Sequence, residues 1–238
     1  MSSLNKENID KDTAGNQLFP VFLKLNELRV LLVGAGNVGL EKLTALISNS
    51  PDTRITIVAE HFSEEVRELA GSYSRILSIC RAFKPEDLEG QDLVVIATGD
   101  NVLNAEIRKL AREKHLLINV ADKPELCDFY LGSIVKKGDL KIGISTNGKS
   151  PTMAKRLKEL FQESLPDELD TSLQQLNQLR NKLNGDFAHK VEQLNKATAM
   201  LLNPPESKDS PKRISWLMCG AGFALVLLLL YIFLPGTF

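Results

Sequence analysis

An apolar segment, Arg29-Val30-Leu31-Leu32-Val33, runs directly into Gly34-Ala35-Gly36-Asn37-Val38-Gly39, which opens onto Leu40 to Leu46 with helical spacing. No other stretch restricts the fold so tightly. In a strand, turn and helix of this kind the first glycine permits the tight turn and the second lets the backbone approach a pyrophosphate. The third lets the helix pack closely on its strand. The helix start offers free N–H groups and the positive end of its dipole to phosphates. A β-branched run, Arg54 to Ala59, follows, and Glu60 closes it about 20 residues past the glycines, where a ribose-binding acid is expected. A carboxylate there accepts from ribose hydroxyls and repels a 2′-phosphate, so the cofactor expected is NAD in preference to NADP. His61, beside it, is a candidate contact for the adenosine ribose.

Strand and helix signals then alternate, which argues for a parallel sheet covered by helices. Strands are expected at Val30–Val33, Arg54–Val58, Arg75–Cys80, Leu93–Thr98 and Leu116–Val120. Helices are expected at Val38–Ser48, Ser63–Tyr73 and Asn101–Lys114, with a short helical turn at Phe83–Leu88. The fold class is therefore α/β, a doubly wound Rossmann-type sheet whose ligand crevice lies at the carboxyl ends of the strands. Thr98 and Gly99 belong to that rim and join Gly34, Gly36, Asn37, Val38 and Gly39 as candidate cofactor-binding residues.

After Val120 the pattern changes. Leu131–Lys136 and Leu140–Ser145 are short apolar segments joined through Lys137-Gly138-Asp139, a hairpin signal. Thr146-Asn147-Gly148-Lys149-Ser150-Pro151 leads into a helix with Ser150 as N-cap and Pro151 in its first position. Leu169, Leu173, Leu176, Leu179 and Leu183 mark an amphipathic helix over Asp167–Leu183, and another is expected over Phe187–Leu202. From Trp216 to Leu234 every residue is uncharged, a run long enough to span a bilayer. Lys212 and Arg213 precede it and no basic residue follows, so the large N-terminal part is expected to stay in the cytoplasm. The resulting division is a disordered N-terminus at 1–17, a nucleotide-binding domain at 18–121, a dimerisation and active-site region at 122–152 and a helical subdomain at 153–203. A linker at 204–213 and a transmembrane helix at 214–235 complete it.

A net charge of -1 gives no sign of a nucleic-acid partner, and three dispersed cysteines support neither a disulfide framework nor a zinc site. His61, His115 and His189 are scattered, and no metal ligands are expected. Asp122 emerges from the last strand, on the same rim as the glycine turn, and an acid there can take a proton while a nicotinamide takes a hydride. Asp128 competes for that role with a weaker claim. From Lys136 to Lys158 there are seven basic residues against one acid, Asp139. That excess, with the glycine loop before Ser150, is a candidate meeting place for an anion.

Together these segments resemble the precorrin-2 dehydrogenase and sirohydrochlorin ferrochelatase family of siroheme biosynthesis, which includes the N-terminal module of siroheme synthase. The resemblance begins at Leu18-Phe19-Pro20-Val21-Phe22-Leu23, similar to the family's opening strand. It continues through Val33 to Lys42, Ile96 to Asp100, Asn119-Val120-Ala121-Asp122-Lys123-Pro124 and Ile144 to Pro151. It implies oxidation of precorrin-2 to sirohydrochlorin with reduction of NAD, by a homodimer built largely through the region after the sheet. Asn37, Val38, Glu60 and His61 fall where the family contacts NAD, and Asp122 matches an aspartate implicated in catalysis. The polycarboxylate substrate gives the Lys136–Lys158 excess a ligand, with Ser145, Thr146, Gly148, Lys149 and Ser150 as candidate substrate-binding residues. Thr146 stands where the family has the second of two serines. Some members also insert iron. No methyltransferase module is recognised, so that step is expected of another protein. The rival expectation is a membrane-tethered NAD-sensing regulatory module, which needs neither the Asp122 nor the Ser150 motif.

Overall fold

The computed structural model describes residues 15–183 and 187–202. Five parallel strands form one sheet in the order β3-β2-β1-β4-β5. They are β1 (Arg29–Ala35), β2 (Arg54–Phe62), β3 (Ile76–Cys80), β4 (Leu93–Ile96) and β5 (Leu117–Val120), connected through α1 (Asn37–Asn49), α2 (Glu64–Gly71) and α3 (Asn101–Glu113). The central strands are apolar without alternation: Val30 to Val33 and Leu93 to Ile96 are all buried. That pattern requires cover on both faces. On one face Val30, Leu32, Ile55, Ile57, Leu93 and Val95 pack with Leu43, Leu46 and Ile47 of α1 and Val66 and Ala70 of α2. On the other, Leu31, Val33, Val58, Val94 and Ile96 pack with Ile107 and Ala111 of α3 and with Leu88. The winding reverses between β1 and β4, which opens a crevice at their carboxyl ends.

All five predicted strands are present, with shifted ends. β2 continues to Phe62 because its ladder with β1 is bulged: Val33 pairs with Val58 but Ala35 pairs with Phe62. β4 stops at Ile96, and the Thr98 hydroxyl turns to α3 instead. The connection from β3 to β4 carries only a 3-10 turn, Pro85–Leu88, as expected. Residues 18–23, expected as an opening strand, pair with no strand; Pro20 lacks an N–H, and Phe19 and Phe22 are 86% and 68% exposed.

The expected hairpin is formed by β6 (Ser133–Lys137) and β7 (Leu140–Ile144), turning at Gly138, whose φ is +56°. α4 (Pro151–Ser164) packs on β6 through contacts that include a bond from Gln162 Nε2 to Lys136 O (3.0 Å). Two lysines fasten the hairpin to the far end of α1. Lys136 Nζ donates to Ser48 O (3.3 Å) and Lys141 Nζ to Asn49 O (2.8 Å). The last turn of α1 has no basic residue of its own, so the hairpin supplies positive charge to carbonyls that the helix leaves unpaired. Lys137 pairs with Asp167 at 2.5 Å. Three of the seven basic residues counted along 136–158 therefore serve the packing of the hairpin, which corrects the expectation that the run acts as one anion-binding face.

The chain divides into two compact units between Asp170 and Thr171. α4 thus belongs with the hairpin, although the sequence boundary at 153 assigned it to the helical part. The second unit holds α5 (Leu169–Lys182) beyond Asp170 and α6 (Phe187–Leu202). No helix among the described residues is long and apolar enough to cross a membrane. The expected linker at 204–213 and span at 214–235, and residues 1–14 of the N-terminal segment, lie outside the described residues.

Replacing Lys136 or Lys141 by Met is expected to cost about 1 kcal/mol each. Amide exchange should quicken in β6 and β7 while that of β1 stays slow. Unchanged exchange in the hairpin would show that the lysines are not its fastening.

Candidate functional site

The glycine turn is shaped by two close approaches. Gly34 has φ +105°, and a Cβ there would overlap Ala97 O at the end of β4, while a Cβ on Gly39 would overlap Gly34 O. Both positions need glycine for steric reasons inside the protein. Gly36 differs, since a Cβ there would meet nothing within 4 Å. Its φ of -90° is open to any residue, so its bareness leaves room above the start of α1. Among α1 to α4, moreover, only α1 begins without a side-chain cap: Ser63 caps α2, Asp100 caps α3 and Ser150 caps α4. An uncapped helix start with exposed Asn37 and Val38 in its first turn and open space at Gly36 fits the pyrophosphate of a dinucleotide.

The same rim gathers most of the other expected residues. Ala59, Glu60 and His61 form the β2 bulge opposite Gly34, with Glu60 and His61 exposed. Thr98 is held from below by Asn104, which is 2% exposed. Thr98 Oγ1 donates to Asn104 Oδ1 (2.5 Å), and Asn104 Nδ2 donates to Thr98 O (3.2 Å). The hydroxyl proton is therefore engaged, and towards the crevice Thr98 acts as an acceptor. Gly99 is exposed beside it.

Asp122 stands just past β5, which is tied to β4 by the bond from Ala121 N to Ile96 O (2.9 Å). It is exposed and has φ +57°, a left-handed conformation uncommon for a residue with a side chain. The loop that imposes this is clamped. The Cys127 thiol accepts from Val120 N (3.2 Å) and lies 3.2 Å from Val120 O and 3.3 Å from Lys123 O. Asp128 takes Arg108 Nη1 and Nη2 at 2.5 and 2.6 Å and also accepts from Ile118 N (3.2 Å). The hydrogen bonds from Arg108 hold the Asp128 carboxyl below the usual carboxylate range, and burial pushes the Cys127 thiol up. Asp128, which the sequence offered as a rival base, is thus a clamp, whereas the Asp122 carboxylate has no partner among the described residues.

Sequence reasoning passed over Asn104 and Arg108. Their signal is spacing: with Ile107 and Ala111 they form the buried stripe of α3, and two polar side chains on an apolar stripe need partners.

The loop 145–150 is organised by its own hydroxyls. Thr146 Oγ1 accepts from Ser150 N (3.2 Å), Ser145 Oγ from Asn147 N (3.2 Å) and Ser150 Oγ from Met153 N (3.1 Å). Asn147 and Gly148 both have positive φ. Lys149 is exposed. No hydrogen bond or ion pair among the described residues joins this loop to Asp122 or to the glycine turn, so the candidate substrate-binding residues form a second cluster. His115 turns α3 towards β5 with φ +56°, and His189 lies exposed on α6. No group of three or more His, Cys, Asp or Glu side chains among the described residues is arranged to hold a metal.

The first and second glycines of the turn predict opposite mutant behaviour. Gly34→Ala is expected to lose on the order of 3 kcal/mol or more of stability in denaturant melts. Gly36→Val should stay within about 0.5 kcal/mol of the parent yet lose dinucleotide binding by calorimetry; retained binding would refute the pyrophosphate assignment. For Asp128, a folded pKa held low means stability that is complete above the ordinary aspartate value and is lost as pH falls through the depressed one. Asp128→Asn should therefore cost about 2 kcal/mol at neutral pH and little in strong acid. A cost independent of pH would rule out the ion pair as its origin.

The family model for an NAD(P)-binding domain matches residues 21–133, and that for the central domain of sirohaem biosynthesis proteins matches residues 137–164. The siroheme synthase of Zymomonas mobilis subsp. mobilis is 30% identical over 226 residues, covering 85% of this chain and 46% of its own length. That of Pseudoalteromonas translucida is 32% identical over 173 residues, covering 73% of this chain and 36% of its own. The chain spans less than half the length of these curated relatives. A solved structure described as SirC, precorrin-2 dehydrogenase, superposes with a TM-score of 0.63 at 22% identity, covering 88% of this chain and 98% of that one, which shows a common fold. With both models met in order across more than half of the chain, and siroheme synthases aligned over most of it, the chain belongs to the siroheme synthase family, of which it carries the NAD(P)-binding and central domains.

Proposed function

We propose that this protein oxidises precorrin-2 to sirohydrochlorin with NAD as hydride acceptor. The observation that carries this reading is one rim holding two things: an uncapped helix start with open space at Gly36, and a free carboxylate, Asp122, clamped in a left-handed turn. Gly34, Gly36, Asn37, Val38 and Gly39 hold the pyrophosphate, Glu60 and His61 the adenosine ribose, and Thr98 and Gly99 line the crevice. The bound nicotinamide supplies the hydride acceptor. Asp122 takes the proton that leaves the macrocycle, from an exposed position at the end of β5. Ser145, Thr146, Gly148, Lys149 and Ser150 form the substrate loop, joined by Lys155, Arg156 and Lys158 as cations for the substrate carboxylates. Glu60 favours NAD over NADP by repelling a 2′-phosphate.

The protein acts as a homodimer, which gives the exposed apolar side chains of residues 18–23 a surface to bury against. Residues 214–235 anchor it as a single membrane pass, with the catalytic part on the cytoplasmic side. A membrane-tethered NAD sensor without catalysis has no use for an aspartate held in a left-handed turn at the cofactor rim.

The test is anaerobic incubation of the full chain with precorrin-2 and NAD, following NADH by absorbance. NADH should form, with NADP a poorer acceptor. Asp122→Ala should lower kcat by roughly 10²- to 10⁴-fold while NAD affinity holds. Folded, NAD-binding protein that yields no NADH would sink the dehydrogenase reading; unchanged turnover in the variant would remove Asp122 from it. Fe²⁺ added to the product in the same cuvette reads out chelation.

A further inference from the structure

Arginine recurs at one level of three neighbouring strands. Arg29 lies opposite Arg54 in the β1–β2 register, and Arg75 immediately precedes Ile76, the partner of Ile55. By the two-residue period of strands, all three point to the face that α3 covers, with Leu31, Thr56 and Leu77. At the amino ends of β2 and β3 no helix covers that face, since the β3–β4 connection provides a 3-10 turn in place of a helix. The result is a groove of about 600 Å³ lined by Arg29, Arg54, Thr56, Arg75, Leu77 and Gln91 among others. Leu77 is 59% exposed in its floor.

Like charges side by side on adjacent strands repel unless something neutralises them. Arg29 has its counter-ion: Asp92 accepts from its Nε and Nη2, both at 3.0 Å. Arg54 has no hydrogen-bond or ion-pair partner among the described residues, and Arg75 reaches only the main chain, Asp52 O at 3.4 Å. The side-chain oxygen of Gln91 is buried without a partner. An apolar floor beside two uncompensated guanidinium groups calls for a ligand that is flat and apolar in its body and anionic at its edge. Guanidinium forks pair with carboxylates in a bidentate geometry, as they also do with phosphates. Neighbouring strands stand about 4.8 Å apart, close to the spacing of alternate carboxylates around an aromatic ring.

We propose that this groove binds a flat aromatic polycarboxylate, its ring on Thr56 and Leu77 and its carboxylates on Arg54 and Arg75. The site lies at the amino ends of the strands, on the opposite rim from the glycine turn, so its ligand and a dinucleotide bind together. The proposal is independent of the reaction assigned above.

The test is calorimetric titration of the full chain at low ionic strength with mellitate, a benzene polycarboxylate, and separately with inorganic phosphate, which has charge but no plate. Mellitate should bind once per chain, equally well with NAD present. Arg54→Ala with Arg75→Ala should weaken it by about tenfold or more. Leu77→Ser should weaken mellitate and leave phosphate unchanged. These positions are exposed, and unaltered NAD affinity verifies that each variant is folded. The proposal is overturned by absence of saturable mellitate binding, by binding that survives the double substitution, by competition with NAD, or by phosphate binding as tightly as mellitate.

Discussion

The turn after β1 and the end of β4 approach so closely that Gly34 has no room for a Cβ beside Ala97 O. Everything at the rim follows from that contact. Because the turn lies so near β4, α1 starts directly over the crevice, its first N–H groups facing outward with no side chain to cap them. The same closeness brings the Thr98 loop within reach of whatever α1 holds. A bulkier first glycine would push the helix off the sheet and uncouple the two.

The other half of the rim is held by polar contacts on the α3 side. Asn104 and Arg108 lie on the buried stripe of one helix, and each secures a different loop: Thr98 by hydroxyl and carbonyl, and the segment after β5 through Asp128. The left-handed backbone at Asp122 persists because both ends of its loop are fixed, by β5 on one side and by the Cys127 and Asp128 contacts on the other. α3 thus acts as a common base for two loops on the same rim.

Much of this was legible in the chain. The unbroken apolar runs of β1 and β4 and the glycine spacing are local signals, and they gave the sheet, its winding and the Gly34–Gly39 and Asp122 positions. What escaped is non-local. The run of lysines from Lys136 reads as one charged face, yet Lys136 and Lys141 meet main-chain carbonyls 88 and 92 residues earlier in sequence, a pairing no spacing encodes. Asp122 and Asp128 are chemically alike in sequence; only the position of Arg108 separates the free carboxylate from the bound one. Residues 18–23 resemble an opening strand, but a strand needs a neighbour, and among the described residues no strand pairs with them.

The fastening of the hairpin to α1 has a consequence for how the two can vary. Each lysine reads a carbonyl oxygen, a group that every amino acid carries, so the side chains of Ser48 and Asn49 are irrelevant to the attachment. The last turn of α1 is thus free to drift through many sequences, whereas Lys136 and Lys141 are confined to long side chains that can donate. Across relatives of this protein, tolerance to substitution should be lopsided at a single contact: loose on the helix that receives the hydrogen bonds and strict on the hairpin that makes them.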